Sequence, residues 1–337
     1  MIRWLERDES RPAEFSLRSH PMGNAIELEI AAGLPAGPVT LEQAEHYTRR
    51  LARSHYENFT VVSWLLPGVL RQHFYNLYAY CRWADDLADE IPDRDRALRL
   101  LDWWQEELNL CYDGRPRHPV FVALWRTAQA RNIPREPFAD LLIAFRQDQL
   151  VRRYPTFPDL LRYCRYSANP VGRLVLYVCG YDDPQRQALS DATCTALQLA
   201  NFWQDVARDL EKDRLYIPIE DLERHGLHEQ DIFARRLDER LVSLMKTLVE
   251  RTRGMFEAGL PLAQMVDRRL RLDVELFSRG GMEILRAIER HGYDVFDRRP
   301  ALGRVAKLRL FAAVFIKHLL TPAASRRSAN PSVLSIP

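Results

Sequence analysis

The sequence predicts one all-α domain over residues 39–320 of the 337-residue chain. Amphipathic helical patterns follow one another throughout this range, while alternating β patterns are almost absent apart from the short stretch LYIP at 215–218. Clusters of proline, glycine and aspartate, such as GRPRHP and RYPTFP, separate the helical segments where turns are expected. No repeat of fixed period and no low-complexity linker divides the chain, so a single helical bundle is predicted.

The helices are predicted from apolar periodicity and from start and stop signals. A capping box at Thr40 and Gln43 begins the first helix, and the second follows Pro67 and stops at the sequence IPD. The predicted segments, in chain order, are 40–59, 69–90, 96–113, 119–131, 135–151, 158–167, 170–179, 185–211, 229–256, 259–277, 280–290 and 301–320. Residues 1–38, which carry four prolines, are predicted to form an irregular leader, and residues 321–337 a disordered tail.

Charge and composition narrow the classes of function. The formal net charge is +2, which gives no electrostatic footprint for nucleic acid. The five cysteines are scattered without a C-x-x-C motif, which favours a reducing compartment over a disulfide framework. The N-terminus carries charges where a signal peptide needs an apolar region, and no run of about 18 apolar residues is present. We therefore expect a cytoplasmic protein, in which LFAAVFI at 310–316 is a packed helix or, as the alternative, a basic helix at the membrane surface.

Two predicted helices carry short acids at helical spacing, where aspartate is unfavourable. In QLANFWQDVARDLEKDRLYIP (198–218), Asn201, Asp205 and Asp209 recur every fourth residue. Aspartate competes with the helix backbone for hydrogen bonds, and two like charges at i,i+4 repel by roughly 0.2–0.5 kcal/mol. The pattern therefore indicates that these side chains have a partner other than water.

The other acidic stretch, YAYCRWADDLADE (78–90), is apolar almost all round and should be buried. Its polar stripe runs through Arg82, either Asp85 or Asp86, and Asp89. One arginine does not balance three buried carboxylates, whereas Mg²⁺ prefers oxygen ligands and is usually completed by substrate phosphates. The two stretches together favour a metal–diphosphate site, although a solvated charged face is the alternative for either one alone.

These stretches, with YCRYSANPVG at 163–172, resemble the squalene/phytoene synthase family of class I isoprenoid synthases. The resemblance covers roughly residues 45–310 and implies a single-domain isoprenoid synthase bundle of helices around a central apolar cavity. It also implies that Mg²⁺, as roughly two or three ions bridged by diphosphate, assists the ionisation of a prenyl diphosphate. The metal ligands that it implies are Asp85, Asp89, Asn201, Asp205 and Asp209.

The resemblance implies further roles beside these motifs. Tyr163 matches a tyrosine near the reacting carbons of the family, and Tyr293, ahead of DRRP, resembles a late family tyrosine. Surface ion pairs are the alternative for Lys212 and Arg214, two of the residues matched to diphosphate binding. The residues so matched are Tyr78, Arg82, Lys212, Arg214 and Tyr216.

Three departures from the family pattern distinguish this chain. Asn58 stands in HYENF, Asn169 stands in SANPVG where the family usually has glycine, and Gln204 replaces an arginine that often precedes the second-motif aspartate. Together these sequences look most like the bacterial hydroxysqualene synthase branch. Because that branch captures water, Asn58, Asn169 and Tyr163 are candidates to position it, with helix capping or a loop amide as the alternative role of both asparagines.

The sequence thus predicts a Mg²⁺-dependent hydroxysqualene synthase of the hopanoid and squalene route, which ionises presqualene diphosphate, rearranges the cation and captures water. A squalene or phytoene synthase that condenses two prenyl diphosphates is the alternative, and a non-catalytic helical scaffold is a minor one. No G-x-G-x-x-G motif or P-loop is present, and no nicotinamide is expected. A lipid substrate favours peripheral contact with the inner membrane and hand-over to neighbouring enzymes of the squalene pathway.

Overall fold

A computed structural model describes residues 38–54, 68–301, 303, 309–310 and 312–314. The predicted all-α class is confirmed, and the only pairing of β type among the described residues is one isolated bridge. The helices are α1 Leu41–Ser54, α2 Gly68–Asp89, α3 Arg94–Tyr112, α4 Pro119–Arg131, α5 Glu136–Leu150, α6 Phe157–Ser167, α7 Asn169–Val178, α8 Pro184–Gln204, α9 Val206–Glu211, α10 Ile219–Arg224, α11 Glu229–Phe233, α12 Glu239–Gly259, α13 Leu262–Met265 and α14 Arg268–Arg290.

Some of the predictions fall on residues that the structure does not describe. Residues 1–37 of the leader, the tail 321–337 and the candidate Asn58 lie outside the described residues and stay predictions. The boundaries of the domain also stay predictions. Within the predicted helix 301–320, the residues at 309–310 and 312–314 are helical. In the part of the chain that is described, no helix is long and apolar enough to cross a membrane.

Helix α8 is the centre of the bundle. It packs most extensively on α12 and also contacts α6, α7 and α14. It begins at Asp183, whose carboxylate accepts a hydrogen bond from the Arg186 amide at 3.0 Å, and Pro184 suits the first turn because its missing N–H would be unpaired there. Every residue from Thr193 to Gln204 is buried, so the second acidic motif lies where α8 emerges from the core.

Helix α2 is buried along most of its length, as its apolar sequence predicts. The Trp83 ring stacks on Trp104 of α3, with centroids 5.2 Å apart and planes at 11°. The Tyr80 hydroxyl donates a hydrogen bond to the Phe138 carbonyl of α5 at 2.8 Å. These contacts fix the rotation of α2 and hence the direction of the polar stripe that contains Arg82 and Asp89.

The predicted continuous helix 185–211 is wrong at one residue that matters for the site. The chain leaves the α-helical conformation at Asp205, with φ of -103° and ψ of 13°, so α8 ends at Gln204 and α9 begins at Val206. The apolar periodicity continues across this break, which is why the pattern alone did not reveal it. The members of the second motif therefore lie on two helices and the junction between them.

Three other predicted boundaries also need correction, and one of them lies in the predicted helix 259–277, which is divided into α13 and α14 where Asp267 caps α14. The predicted helix 229–256 is divided into α11 and α12, because Asp238 caps a new helix by accepting hydrogen bonds from the amides of Arg240 and Leu241. The predicted break between 277 and 280 is absent, and α14 runs through Gly280 and Gly281. Gly281 is needed for packing, since a Cβ there would lie 2.7 Å from Phe256 Cε1 of α12.

The short stretch LYIP forms the isolated parallel bridge, in which Leu215 pairs with Arg153. The Leu215 amide donates to the Arg152 carbonyl at 3.0 Å, and the Ile219 amide donates to the Tyr154 carbonyl at 3.0 Å. This pairing ties the loop after α9 to the loop after α5. It places Tyr216 beside Tyr154, with ring centroids 5.8 Å apart.

The contact of Gly281 with Phe256 gives a stability prediction. Gly281→Ala should lower the free energy of unfolding by about 1–3 kcal/mol, because the added methyl collides with the Phe256 ring and overpacks the contact between α12 and α14. Gly254→Ala is the matched control, since a Cβ at this exposed position in α12 meets nothing within 4 Å and alanine is favoured by about 1 kcal/mol in a helix. Urea unfolding followed by circular dichroism measures both. Equal stability of the two variants would contradict the packing role of Gly281.

Candidate active site

The first acidic motif lies on the last two turns of α2, and the structure separates the roles of its acids. Asp86 is 2% exposed and forms an ion pair with Arg82 one turn earlier. Burial raises the pKa of Asp86 to about 7, although the Arg82 guanidinium opposes this shift. Asp85 is more open, with its side chain 33% exposed and Oδ2 3.9 Å from Arg82 Nη1. Asp86 is thus the buried partner of Arg82, while Asp85 is the more exposed of the two acids.

Arg214 links the two acidic motifs. Its Nη2 lies 3.9 Å from Asp89 Oδ1 of α2 and donates a hydrogen bond to the Asp148 carbonyl of α5 at 3.3 Å. Its backbone amide donates to the Asp209 carbonyl of α9 at 2.9 Å. The side chain of Arg214 is only 12% exposed, so the alternative of a solvated surface ion pair does not hold for this residue.

The second acidic motif supplies one amide and two carboxylates. Asn201 is 8% exposed, and its Oδ1 has no hydrogen-bond partner among the described residues. Asp209 is also buried, and its carbonyl accepts the Lys212 amide at 3.0 Å. Asp205 forms a bidentate ion pair with Arg299, with Nε 2.5 Å from Oδ1 and Nη2 3.0 Å from Oδ2. The break between α8 and α9 therefore turns Asp205 toward a residue far along the chain.

Four aromatic rings form a cluster beside the motifs, defined by Tyr154, Tyr163, Phe202 and Tyr216. Phe202 stacks on Tyr216 with centroids 3.7 Å apart and planes at 7°. The Tyr163 ring lies 6.1 Å from Phe202 and 6.0 Å from Tyr216. Because Phe202 follows Asn201 directly on α8, the cluster borders the second motif. The aromatic faces next to an acidic site are suited to stabilise a positive charge.

Tyr163 has an acidic partner that the sequence did not indicate. Its hydroxyl donates a hydrogen bond of 2.7 Å to Asp148 Oδ1 on α5. Burial raises the pKa of Asp148 to about 6, against the opposing effects of the Tyr163 hydroxyl and Arg214, while the charges of Asp89 and Asp85 add to the rise. Asp148 thus brings α5 and α6 into the same electrostatic environment as the first motif.

The remaining predicted residues lie at different distances from this centre. Asn169, at the start of α7, is buried and accepts a hydrogen bond from Thr195 of α8 at 2.9 Å. The Lys212 side chain is exposed, and its carbonyl accepts a hydrogen bond from Arg152. Tyr293 is half-buried under exposed Lys246, with Nζ 5.7 Å from the ring centroid, so its part in the reaction stays a prediction.

Tyr78 is buried on α2 one turn before Arg82 and interacts electrostatically with the Arg82 guanidinium. It is therefore on the same edge of the helix as the first acidic motif. Contacts through Arg214, Asp148 and the aromatic cluster connect the two motifs with Arg82, Tyr78, Tyr163 and Tyr216 across α2, α5, α6, α8, α9 and the loop after α9.

The donor set fits a hard divalent cation. Asp85, Asp89 and Asp209 supply carboxylate oxygens, and Asn201 supplies a buried amide oxygen without a hydrogen-bond partner among the described residues. In the described part of the chain, no group of three or more histidine, cysteine, aspartate or glutamate side chains is gathered as a ready-made ion site. The candidate ligands instead lie on separate helices, as would suit ions that share their coordination with a bound phosphate group.

Comparison with known proteins places this geometry in a family. The profile of the squalene/phytoene synthase family matches residues 52–306, a range that contains both acidic motifs, Asp148 and Arg299. The chain belongs to this family. The predicted resemblance is therefore confirmed, and the fold is that of the squalene/phytoene synthases.

Members with different products are similar to this chain. The hydroxysqualene synthase of Rhodopseudomonas palustris is 36% identical over 237 residues, which cover 69% of this chain and 80% of that protein. The 15-cis-phytoene synthase of Synechocystis sp. is 30% identical over 319 residues, which cover 90% of this chain and 94% of that protein. The crystal structure of squalene synthase HpnC from Alicyclobacillus acidocaldarius has a TM-score of 0.73 at 47% identity, covering 77% of this chain and 98% of that one.

Three site residues escaped the sequence analysis, namely Asp148, Tyr154 and Arg299. Asp148 lies in FRQDQL, where polar neighbours give no local sign that the carboxylate is enclosed. Arg299 lies in DRRP, which the sequence marks only as a loop. Both become site residues through contacts with distant segments, and a local pattern carries no information about such contacts.

The raised pKa of Asp148 predicts how an amide at this position changes the pH dependence of stability. Between about pH 4 and 6, the folded chain keeps the proton of Asp148 after the unfolded chain has lost it, so wild-type stability falls as the pH rises through this window. An amide does not titrate. Asp148→Asn should therefore gain up to about 3 kcal/mol of unfolding free energy relative to the wild type between pH 4 and 7. Urea unfolding at several pH values measures the difference.

Tyr163→Phe provides the companion variant. It removes the hydroxyl that donates to Asp148, so the pKa of this carboxyl should rise further and the loss of stability should extend above pH 6. If the Asp148→Asn and wild-type curves run parallel from pH 4 to 7, the assignment of this raised pKa is wrong.

Proposed function

We propose that this chain converts presqualene diphosphate to hydroxysqualene by loss of diphosphate, rearrangement of the carbocation and capture of water. The single observation that carries the proposal is that Arg214 contacts both acidic motifs, beside the aromatic cluster. Support for the hydroxysqualene reaction comes from 36% identity to a hydroxysqualene synthase, against 30% for the phytoene synthase. The 47% identity to the solved squalene synthase HpnC supports a squalene-type reaction.

The polar end of the site would bind the diphosphate through metal ions and basic groups. Bound Mg²⁺ supplies a Lewis acid that withdraws charge from the departing diphosphate. The residues that would hold it are Asp85, Asp89, Asn201, Asp205 and Asp209. Arg82 and Arg214 carry fixed positive charge beside these acids, and exposed Lys212, two residues before Arg214, is a further proposed phosphate ligand. Tyr78 and Tyr216 complete the proposed set of phosphate ligands.

The aromatic cluster would stabilise the cation that is left behind. Tyr163, Phe202 and Tyr216 present π faces that attract positive charge without forming a bond to carbon. The Tyr163 hydroxyl is held by Asp148 and is thereby turned in a fixed direction. This anchoring favours one position of the ring, which matters because a small displacement of a reacting group lowers the rate strongly.

Asn169 is the described candidate for holding the water. Its Oδ1 accepts the Thr195 hydroxyl, which leaves the amide nitrogen to bind a further oxygen. Asn169 and Thr195 are both buried between α7 and α8, where most neighbouring side chains are apolar. A polar pair inside apolar walls can hold a water molecule in one place.

The reaction needs no reductant, so we propose that no nicotinamide is used. We also propose that the enzyme is cytoplasmic. Because its substrate and product are both lipids, we propose that it contacts the membrane surface peripherally and hands its product over to neighbouring enzymes of the squalene pathway. The second candidate function is the condensation of two prenyl diphosphates, as in a squalene or phytoene synthase. It is supported by 30% identity to a phytoene synthase over 90% of this chain.

Incubation with presqualene diphosphate and Mg²⁺, without NADPH, tests the proposed reaction. Mass spectrometry of the lipid extract should show hydroxysqualene, and Asp85→Ala and Asp89→Ala should each lower its rate by about 100-fold or more, as is usual when a charge-stabilising group is removed. Asp102→Ala is a control, because Asp102 is an exposed acid of α3 that forms an ion pair with Arg146 of α5 and belongs to neither acidic motif. Consumption of farnesyl or geranylgeranyl diphosphate in place of presqualene diphosphate would move the chain to the condensing members.

Asn169→Leu tests the capture of water separately. The variant should still consume presqualene diphosphate, but the cation should lose a proton to form a hydrocarbon, and the proportion of alcohol should fall by about tenfold. Thr195→Val is the companion variant, since it removes the hydroxyl that orients Asn169 and should lower the alcohol less. Product ratios by mass spectrometry decide the matter, and an unchanged proportion of hydroxysqualene in Asn169→Leu would exclude this role.

A further inference from the structure

The ion pair of Arg299 with Asp205 joins the second motif to a loop 94 residues further along the chain. Both carboxylate oxygens are engaged, Oδ1 by Nε at 2.5 Å and Oδ2 by Nη2 at 3.0 Å. The two side chains are only 15% and 17% exposed, so solvent screens the pair weakly. A second arginine, Arg208, is 3.9 Å from Asp205 Oδ1 but is 46% exposed and contributes a weaker contact.

Gln204 holds the Arg299 guanidinium in place. Its Oε1 accepts a hydrogen bond from Arg299 Nη2 at 3.1 Å, and its Nε2 donates to the Pro300 carbonyl. Gln204 is 4% exposed, which shields this contact from water. The loop itself is tied by Asp294, whose carboxylate accepts the amides of Phe296 and Asp297 at 2.9 and 3.2 Å. Arg299 is therefore held in place by Gln204 and by the loop that Asp294 orders.

This pair conflicts with metal binding at Asp205. A cation that binds the Asp205 carboxylate must displace Arg299 or share its oxygens, and a guanidinium left without an anion in a partly buried place is unfavourable. A diphosphate would give the displaced guanidinium a new anionic partner with matching fork geometry. A metal ion alone gives Asp205 a positive partner but leaves Arg299 without an anion. Diphosphate alone gives Arg299 an anion but leaves Asp205 without a cation. Only the two ligands together satisfy both side chains.

We infer that Arg299 is a switching cation, which holds Asp205 in the metal-free chain and moves onto the diphosphate when metal ions take the carboxylate. The inference rests on the proposed metal–diphosphate function and adds to it the exchange of partners by Arg299. It makes the binding of metal and of diphosphate mutually dependent, because each ligand stabilises the rearrangement that the other one needs. By linkage, the coupling must be the same whichever ligand is added first.

Binding of Mn²⁺ and of inorganic diphosphate tests this inference without turnover. Electron paramagnetic resonance of free Mn²⁺ measures metal affinity, and calorimetry measures diphosphate affinity in the presence of Mg²⁺. In Arg299→Gln, Mn²⁺ alone should bind about tenfold more tightly, diphosphate with metal about tenfold more weakly, and the coupling between them should largely disappear. Adding Asp205→Asn to this variant should abolish the gain in Mn²⁺ affinity, which assigns the gain to Asp205.

Arg298→Gln is the matched control, because Arg298 is the neighbouring arginine, is exposed, and belongs to no ion pair among the described residues. It should bind both probes like the wild type. Arg299→Lys keeps the positive charge but loses the bidentate geometry of the guanidinium. It should therefore weaken the ion pair with Asp205 less than Arg299→Gln does. This variant serves as the test if Arg299→Gln does not fold. Wild-type affinities for both probes in Arg299→Gln, or in Arg299→Lys if only that variant folds, would overturn the inference while leaving the proposed function intact. Failure of the wild type to bind Mn²⁺ with diphosphate would overturn both.

Discussion

The site depends on one constraint, which is that carboxylates enclosed by a helical bundle need positive partners. Arg214 shows the constraint most directly, since one residue contacts Asp89 through its side chain and Asp209 through its backbone. Its side chain also donates a hydrogen bond to the carbonyl of Asp148, so α2 and α5 meet at this guanidinium, and α9 contacts the backbone of the same residue. Without Arg214, Asp89 would lose this positive partner, and the Asp148 carboxyl would lose a positive charge that lowers its pKa.

The same constraint recurs elsewhere in the fold, where arginines also pair with enclosed acids. Of the 48 basic residues, Lys212, Lys246, Lys307 and Lys317 are the only lysines. Fully buried Asp221 forms ion pairs with Arg224 and with Arg251, the second at 2.9 Å. Asp205 forms a bidentate ion pair with Arg299. The planar guanidinium forks match carboxylates with two hydrogen bonds and are weakly hydrated, which suits enclosed pairs. Arginine thus serves both the structural acids and those of the site.

The sequence predicted the all-α fold and the residues of both acidic motifs because these features leave a local signal. Asn201, Asp205 and Asp209 stand at helical spacing in an apolar segment, which is unfavourable unless a partner exists. The partners gave no such signal, since Asp148 lies in a polar stretch and Arg299 in a loop. The break at Asp205 was also hidden, because the apolar periodicity passes through it unchanged. Local patterns therefore identify the acids of such a site, and only tertiary contacts identify what neutralises them.

The break between α8 and α9 leaves the members of the second motif one turn apart, because the Asp205 amide donates to the Asn201 carbonyl at 2.8 Å and the Asp209 amide to the Asp205 carbonyl at 2.9 Å. Two carboxylates at this spacing repel each other in the absence of metal. Arg299 neutralises Asp205, while Asp209 is buried with its carbonyl bonded to the amide of Arg214. The charge of Asp205 is thus balanced before any ligand arrives. A chain arranged in this way avoids concentrated negative charge in its metal-free state, and it still keeps its carboxylates within reach of a cation that enters with a phosphate group.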